Sequence, residues 1–163
     1  MPLAANIRIS THFTAREAGI TVPEADDVII SNARSVAQWL ETLRMILNDD
    51  LPPGSQEHKI IVTSWFRPPA TNTTAGGASN SDHLQALAVD FEVSGMSPYD
   101  VYTRLQAAGN KLPAFDQLIW YAVDGHVHVG LGPRMRRQIL FKTAEGSYAV
   151  LAGELVQRLR GYV

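Results

Sequence analysis

Apolar positions recur at intervals of three and four in SNARSVAQWLETLRMIL, where Ala33, Val36, Leu40, Leu43 and Leu47 share one face. That spacing predicts an amphipathic helix over residues 31–47, ended by the DDLPPGSQ segment at Asp49 to Gln56. The pattern then shortens. KIIVTSW is β-branched and predicts a buried strand ending near Ser64, and ALAVDFEV, DQLIWYAV, HVHVGLG and QILFK predict further strands. Asp124-Gly125 between two of these runs is a hairpin signal. Ser97-Pro98-Tyr99-Asp100 supplies a cap, a proline at the first helical position and an acid three residues after the cap, so a helix is predicted to about Ala108, with Gly109-Asn110 ending it. Thr14 and Glu17 have capping-box spacing and predict a short helix near the start; AVLAGELVQRLR predicts one at the C-terminus. RPPATNTTAGGASNSD, Arg67 to Asp82, is rich in Pro, Gly, Thr, Ser and Asn and is predicted to be a loop, which at this length is usually functional. With no repeat and no linker, residues 1–163 are expected to form a single α+β domain, a small and mainly antiparallel sheet flanked by helices.

Composition narrows what such a domain does. Apolar residues make up 45% and charged residues 18%, enough for a packed core. Fourteen Lys plus Arg against sixteen Asp plus Glu leave a net charge of -2, so neither nucleic acid nor an anionic membrane is expected as the main partner. The Arg134 to Arg137 run, RMRR, reads as a solvated turn rather than a binding patch. There is no cysteine, so thiolate metal sites and a Cys nucleophile are excluded, and any metal must be held by nitrogen and oxygen. No segment approaches the ~20 apolar residues of a membrane span, and the N-terminus lacks the charged and apolar regions of an export signal.

Candidate chemistry enters with histidine. In an extended HVHVGLG, His126 and His128 share a face while Val127 and Val129 point to the core. His83 stands where the Gly/Ser/Asn loop ends, and Asp90 sits inside ALAVDFEV, where a carboxylate is costly unless paired or metal-bound. Taken singly, His83 is an ordinary surface residue, Asp90 accepts hydrogen bonds, and a His-x-His pair faces solvent. Taken together, three imidazoles and one carboxylate match zinc preferences better than those of calcium or magnesium. Four ligands would close a structural site, and three would leave a water to be activated; spacing alone does not choose.

Ser81-x-His83-x-x-Ala86-x-Ala88-x-Asp90 followed by His126-x-His128 resembles the signature of the D-Ala-D-Ala carboxypeptidase family of zinc peptidases, which includes phage endolysin peptidases and shares its fold with the hedgehog signalling domain. ISTHFTAREA resembles the family's opening helix, TSWFRPPATNTTAGGASNSDH its arginine-bearing loop, and FDQLIWY its Phe-Asp-Gln-Leu-Ile strand. The resemblance implies a hedgehog/DD-peptidase-like fold with zinc (Zn2+) held by His83, Asp90 and His128, and His126 beside the metal. It further implies that Arg67, with Ser81 in the adjoining loop, binds substrate; a guanidinium offers a bidentate fork for a peptide carboxylate.

Two positions depart from the family pattern. Ala86 replaces a glycine, and Tyr121 and Gly125 stand where many relatives carry a glutamate base. The remaining candidates for the base are His126, Asp124 and Asp116. His126 is preferred, because an imidazole near zinc can shuttle protons or stabilise an oxyanion, whereas Asp124 also suits a turn. The expected function is zinc-dependent hydrolysis of peptide bonds in peptidoglycan stem peptides or cross-links by a monomer. Without an export signal, the expectation is a phage lysis or virion-associated enzyme made in the cytoplasm and delivered to the cell wall by a holin or particle. The alternative is a non-catalytic, zinc-containing wall-binding or virion-structural protein.

Overall fold

The structure is a computed structural model that describes residues 2–142 and 148–150. Helix α1 spans Asp27–Asn48 and starts four residues before the predicted run. Asp26 is the reason: its carboxylate accepts from Ile29 N at 2.9 Å, satisfying an otherwise orphaned donor of the first turn. The face carrying Ile29, Ile30, Ala33, Val36, Trp39, Leu40, Leu43 and Leu47 is buried. Strand β1 (Ile60–Ser64) follows, then helix α2 (Pro69–Thr74), a 3-10 turn (Asp82–Gln85), strand β2 (Ala88–Val93) and helix α3 (Pro98–Ala108). Strands β3 (Gln117–Tyr121), β4 (His126–Gly130), β5 (Gln138–Lys142) and β6 (Tyr148–Val150) complete a six-stranded sheet of order β1-β2-β4-β3-β5-β6. All pairings are antiparallel except β3 with β5, which run parallel.

Strand alternation sorts this sheet into two chemically different faces. Val89, Phe91, Leu118, Trp120, Val127, Val129 and Phe141 belong to the core. Helix α3 lies against them, with Tyr99 and Tyr102 packed on Trp120 at ring-centroid distances of 5.0 and 6.0 Å. Trp39 of α1 meets Phe115 edge-on at 6.4 Å. The opposite face carries Asp90, His128, Ile119 and Leu140 in one register row and His126, Tyr121 and Lys142 in the next. That second face is the floor of the cleft described below.

Several local expectations are adjusted by tertiary contacts. Thr14 and Glu17 do form the reciprocal capping contacts, Thr14 N donating to Glu17 Oε2 at 2.8 Å and Glu17 N to Thr14 Oγ1 at 3.4 Å. The segment stays a turn rather than the expected helix, because Gly19 at φ +72° reverses the chain and Ala18 O accepts from Phe66 N. A Cβ at Gly19 would lie 3.0 Å from Phe66 O, so that approach requires glycine. The 67–82 loop is not wholly irregular: Pro68 and Pro69 open α2, as proline favours at a first turn. ALAVDFEV becomes a strand only from Ala88, since Ala86 has φ +54°. Ser97 and Gly109 cap α3 as predicted. The β3–β4 hairpin has a four-residue loop in which Gly125, at φ +74°, donates its N–H to Tyr121 O. Of the expected C-terminal helix, Ala149 and Val150 belong to β6, and the positions from 151 onward lie outside the described residues.

Candidate metal centre

Three elements converge on Asp90. The carboxylate lies on β2 opposite Ser64 of β1 and His128 of β4. A register shift between Val62 and Ser64 lets β1 present Ser64 to the cleft while Trp65 turns into the core. His83 arrives from the 3-10 turn, whose first residues are capped by Ser81: its hydroxyl accepts from His83 N at 3.3 Å. His83 and Asp90 are buried at 3% and 6% exposure, which for a carboxylate demands partners.

The partners are all cationic or imidazole. Arg67 Nη2 donates to Asp90 Oδ2 at 2.5 Å while its Nε donates to Ser64 Oγ at 2.7 Å. His128 Nδ1 lies 2.7 Å from Asp90 Oδ1, His83 Nε2 lies 3.4 Å from Oδ2, and His126 Nε2 lies 3.9 Å from Oδ1. Burial pushes the Asp90 carboxyl upward, but the hydrogen bond from His128, with the His83 imidazole close by, outweighs it and holds the group well below the usual carboxylate range. Asp90 is thus an anion at any physiological pH. Burial also holds His128 below the ordinary imidazole value despite the opposing pull of Asp90, which favours the neutral, ligand-competent ring.

His83 Nδ1 lies 2.6 Å from the carbonyl oxygen of Trp65. A carbonyl only accepts, so Nδ1 carries the proton and Nε2 presents a lone pair to the Asp90 carboxylate. Two electron-pair donors facing each other across 3.4 Å suit a cation between them. The donor atoms of His83, Asp90 and His128 lie within 4.8 Å of one another and could hold a metal ion. Two imidazole nitrogens and one carboxylate oxygen are a donor set that fits zinc, and the Trp65 carbonyl fixes the orientation of the His83 ring.

The remaining predicted residues divide. Arg67, Ser81, His126 and Asp124 line one cleft of about 550 Å³ with His83, Asp90 and His128. Asp124 is exposed at the hairpin loop, whereas His126 is stacked on Tyr121, the ring centroids 4.5 Å apart and the planes 18° from parallel. Asp116 is elsewhere: it is 2% exposed and chelated by Arg136, whose Nε and Nη2 donate at 2.7 and 2.6 Å. The RMRR run is accordingly structural at two of its arginines, since Arg137 also stacks on Phe115 and donates to Gly109 O at 2.8 Å. Arg134 lines the cleft.

Tyr121, Lys142, Ser64 and Asp82 were not singled out as site residues by sequence reasoning. Pairing by alternation from His126 would have found Tyr121 and, with the parallel β5 register, Lys142. Asp82 reaches the cleft because Gly130 and Gly132 leave it room; a Cβ at Gly132 would meet its Oδ2 at 2.5 Å. Burial, with the nearby Asp116 charge, raises its carboxyl.

Two imidazoles and one carboxylate on the floor of an open cleft make a site that could hold a metal ion, a ligand set also found in zinc peptidases. The sequence model of the family described as Peptidase M15 matches residues 9–130, well over half of the chain and all of the converging donors. The chain belongs to that family, and it is a metallopeptidase by family. No curated protein matches it significantly. Among the described residues, no helix is long and apolar enough to cross a membrane.

Proposed function

We propose that the protein hydrolyses peptide bonds of bacterial peptidoglycan, in stem peptides or their cross-links, as a D,D-carboxypeptidase or muralytic endopeptidase of the phage lysis or virion-associated kind. The observation that carries this reading is the convergence of His83, Asp90 and His128 beside Arg67 and His126 in one cleft of a peptidase M15 chain. His83 Nε2, an Asp90 oxygen and His128 would hold zinc, which when bound polarises a scissile carbonyl and lowers the pKa of its water toward ~7.

The protein's own groups do the rest. Arg67 is oriented by Ser64 and Asp90 and keeps further N–H donors for a peptide carboxylate or carbonyl. His126, held by the Tyr121 ring, moves a proton at Nε2 or steadies the developing oxyanion. Asp124 at the rim is the other candidate base, and Asp116 is assigned to holding the 131–137 loop through Arg136. Ser81 shapes the turn that presents His83 and borders the peptide. The protein acts as a monomer on the cell wall, delivered by a holin or a particle.

The second reading, a non-catalytic zinc-containing wall-binding or virion-structural protein, is favoured by Tyr121 and Gly125 at the glutamate positions. Digestion of purified peptidoglycan decides between them. Zinc-loaded protein should release peptides, identified by mass spectrometry from defined muropeptides, and chelation should stop it. No release, where a known muralytic enzyme succeeds on the same preparation, overturns the enzymatic reading.

A further inference from the structure

The three arginines of the 134–137 run have different surroundings. Arg136 chelates Asp116 with its side chain and donates its backbone N–H to the same carboxylate at 3.0 Å. Arg137 donates to the carbonyl oxygens of Leu112, Pro113 and Gly109 at 3.3, 3.2 and 2.8 Å and lies over the Phe115 ring. Arg134 does neither. It is exposed, it lines the cleft that holds His83, Asp90 and His128, and among the described residues it makes no hydrogen bond or ion pair. Asp82 and Asp116 feel its charge without contacting it, and Asp116 is already paired with Arg136.

The backbone around Arg134 is held in a costly shape. Met135 and Arg137 have φ of +45° and +53°, a region that residues other than glycine disfavour. Such conformations persist where the surroundings over-determine them, and they cluster at binding sites. Here the surroundings are Asp116, which grips Arg136, and the 109–115 segment, which grips Arg137. The loop leaves the sheet at Gly130 and returns at Gln138, and both of those residues pair with Gln117. It therefore borders one end of the cleft, with Arg134 at its midpoint.

Position decides what Arg134 can take. The row of Gly130 and Gln117 lies two residues along the strands from the row of Asp90 and His128, about 7 Å. An extended peptide advances about 3.3 Å per residue, so a group beside the loop sits about two residues from a carbonyl held at the metal donors. Arg67 does not serve that position, since it donates to Asp90 and Ser64 on the β1 side. A guanidinium with all its N–H donors free favours a carboxylate, which it can hold through two parallel bonds, and it repels an ammonium.

We propose that Arg134 is a specificity-determining residue that takes a second carboxylate of the substrate, about two residues from the scissile bond. The inference deepens the peptidoglycan reading and rests on it for the position of that bond. Counting back from a D-Ala-D-Ala bond at the end of a stem, the second residue is the third of the stem. Its side chain ends in a carboxylate and an ammonium in diaminopimelate stems and in an ammonium alone in lysine stems.

The probes are five-residue-stem muropeptides with diaminopimelate at that residue, its side-chain carboxylate free or amidated, or with lysine there. The readouts are kcat/KM on the zinc-loaded protein and Kd by calorimetry on the zinc-loaded His126→Ala protein. The free carboxylate should be preferred to the amide and to lysine about fivefold in both, as a partly exposed ion pair allows. Arg134→Gln should erase that ratio and Arg134→Lys should keep part of it, whereas an effect on the fold or the metal would change all probes alike. Equal handling of the three probes, or a preference that survives Arg134→Gln, overturns the assignment of Arg134 and leaves the peptidase reading to stand on hydrolysis. Carboxylate-selective binding that depends on Arg134, without hydrolysis of any probe, overturns the peptidase reading and keeps the carboxylate site.

Discussion

Trp65 holds the His83 ring by its backbone: the carbonyl oxygen accepts from Nδ1 at 2.6 Å, while the indole N–H of the same residue donates to Ala86 O at 3.2 Å. One residue therefore sets both the tautomer of His83 and the turn that follows it. Trp65→Phe keeps the carbonyl and removes the indole donor, leaving a buried acceptor unsatisfied. The expected cost is about 1–3 kcal/mol in urea unfolding of the metal-free protein. Zinc affinity by chelator competition should fall by less than about tenfold, because the carbonyl that orients His83 stays and only the anchor of the turn behind it is lost.

Ala86 occupies the left-handed region at φ +54° and is fully buried. Ala86→Gly relieves backbone strain of about 1 kcal/mol but gives up a buried methyl worth about 0.8 kcal/mol. Stability should therefore change by less than about 1 kcal/mol. Ala86→Val, β-branched at positive φ in a packed site, should lower the midpoint clearly. The pair of denaturation curves checks the left-handed turn directly.

His126 and His83 should separate in a metal analysis. His126→Ala is expected to keep about one bound zinc per chain while kcat falls about 100-fold or more, as for loss of a proton-transfer group. His83→Ala should lose the metal itself, and with it any rise in melting temperature on adding zinc. Equal zinc loss in both variants would place His126 among the ligands and close the site.

Asp116 carries the acid dependence of the 131–137 loop. Hydrogen bonds from Arg136 hold its carboxyl below the ordinary value of 3.8 against the opposing effect of burial. The unfolded chain then takes up the proton first as pH falls. The stabilisation is complete above the unfolded value and is lost as pH drops below 3.8 toward the folded one. Asp116→Asn should melt earlier than the parent at pH 7 and lose less on acidification, so the two melting curves converge at low pH.

Much of this was legible in the chain. The strand around Asp90, the alternation of His126 and His128 and the cap at Ser97 rest on local pattern, and local pattern is what short-range sterics and solvation write into a sequence. The donor set was readable for the same reason: a carboxylate inside an apolar strand and two histidines on one strand face are each anomalous without a partner. The opening helix was misread, because Thr14 and Glu17 satisfy a local rule that the contact between Gly19 and Phe66 overrides. Asp116 and Asp124 were both within reach as bases from spacing, with Asp124 also suiting a turn; Asp116 is chelated by Arg136, and Asp124 is exposed on the hairpin loop that borders the cleft.

By itself the sequence determined that zinc-type donors exist, which segments carry them, and which family they belong to. Only the tertiary structure decided that Arg67 pairs with Asp90, 23 residues further along the chain, that Trp65 sets the His83 tautomer, and that the Tyr121 ring stacks on His126. The reason is physical. Local preference is summed over neighbours in the chain, whereas a site is assembled by strand order and register, and the parallel pairing that brings Lys142 beside Tyr121 depends on a sheet no single segment contains.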